Sequence, residues 1–333
     1  MPASIPSRLV LDGIVYFSDG NPEPLRTGGV HAANVTVTHT HAGLEEAMKD
    51  LGDWRRRVAA PESGWTLVLA ADDLLKARDS GRPGLILGWQ NTLPFGSHAV
   101  LAWTFAAAGL RIAQLTHNEG NFAGDGCAEE RNGGLTKFGR ELIHEMNAAG
   151  IAVDVSHCGD RTAREAAEVS RKPVLLTHSN AKAVHNRVRN KDDDAIRAVA
   201  KSGGVIGLSV HGFMNWDGDP RHPPSLEGWV AHIRHVMNLA GIEHVGIGTD
   251  FACVQDEAVI QAILDRNRDH YKAANAYAAA FGNTSAGRYP KGVPDCRSFP
   301  KLIEHLERSG FTGAQVDAIA GGNFLRAYRD IWH

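Results

Sequence analysis

Several features that would settle the class of a protein at a glance are missing from this chain. Only four of its 333 residues are cysteine, and Cys127, Cys158, Cys253 and Cys296 form no CxxC pair and no dense cluster. That spacing speaks against a disulfide framework or a zinc ribbon and fits a reducing compartment, so a cytoplasmic protein is expected. An excess of one charge is missing too. The 35 Lys and Arg set against 38 Asp and Glu leave a formal −3, which gives no footprint for nucleic acid. No apolar run approaches a membrane span, and MPASIPSRLVLDG has neither the basic nor the apolar stretch of a secretory leader. No internal repeat stands out.

What the chain does have is enough apolar residues, 43%, to bury a large core. Apolar, β-branched runs alternate with longer helical patterns, which favours parallel βαβ units. The candidate strands are LVLDGIVYF (9–17), VHAANVTVT (30–38), LILGW (85–89), IAQLTH (112–117), IAVDVSH (151–157), VLLTHS (174–179), VIGLSV (205–210) and HVGIGTD (244–250). Eight is the number of a (β/α)8 TIM-type barrel, and TLVLA (66–70) is a ninth candidate. Helices are predicted over 43–59, 98–109, 137–148, 161–169, 192–202 and 226–240, with Gly150, Gly204 and Gly241 placed as helix stops. One domain over 1–333 is expected, with a rim insertion around 266–297 and C-terminal helices packed on the barrel.

His157, His178 and Asp250 each close one of these strands. In a β/α barrel the strand ends converge on one rim, and the chemistry sits there. Imidazole nitrogen and carboxylate oxygen suit zinc or a similar divalent ion, and a carboxylate at such a rim can also take a proton from water. A helix N-cap is the plainer role for Asp250, and buried hydrogen-bonded histidines the plainer role for the other two. His117 ends a fourth strand, where an imidazole can bond a carbonyl oxygen as negative charge develops on it. Arg189 offers a bidentate fork for a substrate carboxylate, and Arg187 stands two residues away. His39 and His41 follow the second strand rather than the first and read better as loop histidines than as a metal pair.

Taken together, LTHN (115–118), GLTKFGRELIHEMNAAGIAVDVSH (134–157), THS with the later RN of 189–190, and GIGTDF (246–251) are similar in wording, order and spacing to the membrane dipeptidase family of zinc peptidases, peptidase family M19. The resemblance runs from about residue 9 to GGNFLR near the C-terminus. It implies a metallo-dependent hydrolase-like barrel with a two-zinc centre that cleaves dipeptides. It further implies that His157 and His178 hold one zinc and that Asp250 binds the other and shuttles the proton. His117 then polarises the scissile carbonyl, and Arg189 holds the dipeptide's carboxylate.

The chain departs from that pattern in three places. The family places a His-x-Asp after an Asp-Gly on the first strand, where this sequence has Ile14 and Tyr16 after LDG. The family's bridging Glu is matched by Gln90 in GWQN, and a neutral amide bridges two dications poorly. The expectation is therefore a dipeptidase-type hydrolase with a reduced, one-zinc site on His157, His178, Asp250 and Gln90, acting on a dipeptide or related small amide. Neither nucleic acid nor membrane is expected as a partner, and homodimers are the general prior. Two alternatives stay open. One is an altered barrel that binds a small carboxylate ligand through Arg189 and His117. The other is a deaminase- or lactonase-type amidohydrolase using His39 and His41.

Overall fold

The computed structural model describes residues 8–332 apart from 255, 257, 260, 263–274, 283 and 285. Ten strands appear: β1 (Leu11–Ser18), β2 (Ala32–Thr36), β3 (Thr66–Leu67), β4 (Gly84–Trp89), β5 (Leu110–Gln114), β6 (Ala152–Asp154), β7 (Val174–Leu175), β8 (Ile206–Leu208), β9 (Val245–Ile247) and β10 (Phe251–Cys253). All pairings between them are parallel, as alternation with helices requires. The main ladder runs β10-β1-β2-β4-β5-β6-β7, with β3 on β4, and β8 pairs β9. A parallel bridge between Leu176 and Ile206 carries the path from β7 to β8.

The seam between β9 and β1 is spanned by a side chain. The buried Asp12 carboxylate accepts from Thr249 N at 2.8 Å and from Thr249 Oγ1 at 2.5 Å. Glycines make this packing possible. A Cβ on Gly13, Gly207 or Gly248 would overlap the Thr177 carbonyl oxygen, so the segments holding β1, β8 and β9 close on one point only because these residues lack side chains. Eight strands thus form the ring, with the short β3 and β10 as additions. All eight expected strands are present, and the ninth candidate, TLVLA, contributes β3.

The expected helices also form: α2 (Leu44–Ala59), α4 (Leu101–Ala107), α5 (Lys137–Ala149), α6 (Asp160–Val169), α7 (Asp193–Lys201) and α8 (Leu226–Ala240). Periodicity missed the five-residue α1 (Glu23–Thr27) and also α3 (Ala71–Ser80). Side-chain caps mark the starts of α5, α7 and α8, where Thr136, Asp192 and Ser225 accept from backbone N–H groups three residues on. The C-terminal helix Asn323–Ile331 packs Phe324, Ala327, Tyr328 and Ile331 against Leu9, Leu11, Ile112 and Val205, closing the end of the barrel away from the strand C-termini.

The first nine residues of the expected rim insertion, 266–274, lie outside the described residues. Its second half carries the helix Asn275–Phe281 and two helical turns, Ala286–Arg288 and Cys296–Ser298. The last of these brings two of the four cysteines together. Cys253 at the end of β10 and Cys296 are joined as a disulfide across 43 residues. Sequence spacing could not show the pair because the barrel mouth, not a local motif, brings the two together. Among the described residues, no helix is long and apolar enough to cross a membrane.

Candidate active site

β6 and β7 end side by side, and the turns beyond them carry His157 and His178. Their Nε2 atoms face one another at 2.9 Å. The far side of each ring is fixed. His157 Nδ1 lies 2.8 Å from Asn118 Oδ1, and His178 Nδ1 lies 2.9 Å from Thr177 Oγ1. An amide oxygen accepts only, so His157 carries its proton on Nδ1. The Thr177 hydroxyl donates to Asp154 Oδ2 at 2.7 Å, which leaves it as the acceptor for His178 Nδ1–H. With these tautomers both Nε2 atoms turn lone pairs toward each other, an arrangement that a cation between them would relieve. Burial first, then the nearby Arg189, holds both imidazoles well below their ordinary pKa, so protonation does not supply that cation near neutral pH. The pair fits two nitrogen donors of a divalent metal ion.

Asp154 organises the two turns. Its carboxylate accepts from Ser156 N at 3.0 Å, Ser156 Oγ at 2.5 Å, Thr177 N at 3.1 Å and Thr177 Oγ1 at 2.7 Å. One buried side chain thereby fixes the residues immediately before both histidines. A charged residue in the apolar run AVD was the available sequence signal for this role. Asn118 and Thr177 gave none, since their function depends on where neighbouring strands end.

His117 stacks on His157, with ring centroids 4.2 Å apart and planes 22° from parallel. Burial, then the fields of Arg189 and His41, push its pKa down to about 3, so it is a neutral ring able to donate one N–H. Asp250 stands past β9 with φ +60°, a left-handed conformation that aspartate tolerates better than most residues. Its backbone is pinned on both sides. Asp12 holds Thr249, and the Tyr289 hydroxyl donates to the Asp250 carbonyl at 2.5 Å. Burial raises the Asp250 carboxyl to about 6 against the opposing pull of Arg288 and Arg189.

The remaining expected residues are placed as follows. Gln90 is 6% exposed beyond β4, and its Nε2 donates to Thr36 Oγ1 at 2.9 Å. Arg189 is 2% exposed, with its guanidinium on the Ser156 carbonyl and, at 3.5 Å, the His178 carbonyl. The buried Lys191 Nζ meets the same Ser156 carbonyl at 2.8 Å. His39 and His41 lie exposed on a turn, with the His41 ring 6.4 Å from that of His117. The structure thus joins His157 to His178 and stacks His117 beside them. Among the described residues, no group of three or more His, Cys, Asp or Glu side chains is gathered to hold a metal ion, so Asp250 does not complete a three-residue cluster with the two histidines.

At the rim, Tyr16, Arg288 and His211 stand together, a contact the sequence reading did not foresee. Tyr16 follows the Asp-Gly of β1, and Arg288 reaches it from the second half of the rim insertion.

Comparison with known proteins places the chain among related sequences and folds. An uncharacterized dipeptidase of Schizosaccharomyces pombe is 27% identical over 293 residues, which cover 86% of this chain and 62% of that protein. The chain therefore spans less than two thirds of that relative's length. An amidohydrolase from Pseudomonas aeruginosa superposes with a TM-score of 0.84 at 30% identity, covering 98% of this chain and 97% of the other. A metallo peptidase from Rhodobacter sphaeroides, solved with a phosphinate mimic of the dipeptide L-Ala-D-Ala, shares the fold with a TM-score of 0.76 at 18% identity, covering 97% and 99%. The model of the membrane dipeptidase family, peptidase family M19, matches residues 24–265, and the chain belongs to that family.

Proposed function

We propose that this protein is a metal-dependent hydrolase that cleaves a dipeptide or related small amide, with one zinc ion held by Nε2 of His157 and Nε2 of His178. The observation that supports this reading is the facing pair of Nε2 atoms at 2.9 Å, each ring fixed from behind by an oxygen. Gln90, where a carboxylate would be needed to bridge two ions, favours one ion over two. When bound, such an ion acidifies water and draws electron density from a carbonyl.

The chain's own residues supply the rest. Asp250, raised to about 6, is well matched to accept a proton from the attacking water and return it to the leaving amine near neutral pH. Neutral His117 donates its N–H to the scissile carbonyl oxygen as that atom gains charge. Arg189 and Lys191 hold the Ser156 carbonyl, and so keep the turn before His157 in place.

Metal analysis of the purified protein tests the assignment together with turnover of L-Ala-D-Ala. One zinc per chain and chelator-sensitive cleavage are expected, and His178→Ala should lose both. Two ions per chain would overturn the one-ion site. An inability to take up zinc or manganese at all would overturn the metal-dependent reading.

A further inference from the structure

Asp250 stands at a break in the sheet, and the break is held on both sides. β9 pairs with β8, whereas β10 pairs with β1, so the chain must turn between Ile247 and Phe251. Asp250 makes that turn at φ +60°. A left-handed aspartate is strained relative to an extended one and persists only where its surroundings fix the flanking peptide groups. The peptide before it is held by Ser209 Oγ, which donates to the Thr249 carbonyl at 3.3 Å. The peptide after it is held at its N–H, since Phe251 N donates to Thr249 Oγ1 at 3.2 Å. The carbonyl of that same peptide, on Asp250, accepts from the Tyr289 hydroxyl at 2.5 Å. The Asp250 Cα lies between the two peptides, so the direction of its side chain is fixed only while both are.

Ser209 and Thr249 belong to the barrel, just past β8 and β9. Tyr289 comes from the segment after β10, and its place is secured. It is buried, and its ring stands edge-on to those of Phe251 and His211, with centroids 4.8 and 5.9 Å away. The Cys253–Cys296 disulfide ties the chain beyond it back to β10. Burial also keeps the phenol well above its ordinary pKa, so the hydroxyl remains a donor near neutral pH. We propose that Tyr289 is a positioning residue for the hydrolysis: through the Asp250 carbonyl it holds the Asp250 carboxyl where that group takes the proton from the attacking water. This rests on the hydrolase reading above and adds to it a residue that acts only through Asp250. The segment after β10 thereby contributes to the reaction by fixing one backbone peptide.

Tyr289→Phe is the test, because it removes the hydroxyl and keeps the ring against Phe251. On the zinc-loaded protein kcat for L-Ala-D-Ala should fall about five- to tenfold, the effect of one lost hydrogen bond, while KM changes by less than about twofold. Zinc per chain should stay as it is. In Asp250→Asn, whose slow residual turnover no longer uses the carboxylate, the same substitution should lower kcat no further. The amide 1H–15N signal of Phe251, which belongs to the bonded peptide, should move in Tyr289→Phe and so report the bond in solution. An unchanged kcat in Tyr289→Phe overturns the positioning role and leaves the hydrolase reading standing. An equal loss of kcat in the Asp250→Asn background does the same, since the hydroxyl would then act elsewhere. Absence of turnover of any dipeptide by the unmodified zinc-loaded protein overturns the hydrolase reading and, with it, the role given to Tyr289.

Discussion

At the scale of single residues, the site depends on side chains that touch no substrate. Asp154 accepts four hydrogen bonds from the residues preceding His157 and His178, so it sets where both imidazoles stand. Asn at this position keeps the shape but turns an NH2 group toward donors. Two hydroxyls and two amides then compete for one oxygen, and the buried mismatch costs about 2–4 kcal/mol. Because the histidine positions follow, zinc affinity should weaken by about 10- to 100-fold. Denaturant unfolding and zinc competition on Asp154→Asn measure the two effects separately. Lost stability with unchanged zinc affinity would show that Asp154 only holds the barrel together. The ligand candidates were legible in the sequence because a histidine closing an apolar run is visible in one dimension. Asn118 and Thr177 were not, since each acquires its role from a partner on another strand or loop.

At the scale of elements, the strand ends could be read because hydrophobic periodicity is local: five of the eight ring strands fall within the runs that predicted them, and β1, β4 and β5 exceed theirs by one or two residues. The departures are non-local. The Cys253–Cys296 disulfide and the approach of Arg288 to Tyr16 both depend on how the segment after β10 folds back over the mouth. Glycine placement has a similar character. In GIGTD, Gly248 is present because a Cβ would overlap the Thr177 carbonyl oxygen, a backbone atom with no rotamer to change. Gly248→Ala should therefore cost about 2–3 kcal/mol, the upper part of the range for overpacking. Gly313, at the first position of the helix Gly313–Asp317, is the control, because a Cβ there meets nothing within 4 Å. Gly313→Ala should be neutral or stabilise by about 0.5 kcal/mol. Equal urea midpoints for the two variants would refute the idea that this contact closes the barrel.

At the scale of the whole molecule, the barrel buries ionisable groups of both kinds, and their opposed shifts shape stability against pH. Burial depresses His117, His157, His178, His211 and His232. A depressed group contributes stability that is present above its unfolded pKa of about 6.5 and is lost as pH falls, because the unfolded chain then takes up protons that the folded one refuses. Asp12 has the opposite sign. Burial, outweighing its bonds to Thr249 and Ile14, raises its carboxyl from 3.8 to about 7. The folded state is then the better proton binder between those values, so this contribution is complete at low pH and is lost as pH climbs through about 7. With five histidines on one limb and one carboxyl on the other, stability should rise up to about neutral pH and level off at about pH 7–8. Asp12→Asn isolates the alkaline limb, since the amide cannot ionise while the histidines and any bound zinc remain common to both proteins. From about pH 5.5 to about pH 8 the unfolding free energy of the natural protein should fall by about 2 kcal/mol relative to Asp12→Asn. Urea unfolding of both proteins at matched zinc concentration measures that difference. A difference that does not change with pH would mean that Asp12 stays ionised in the fold, with its bonds to Thr249 and Ile14 outweighing the cost of its burial.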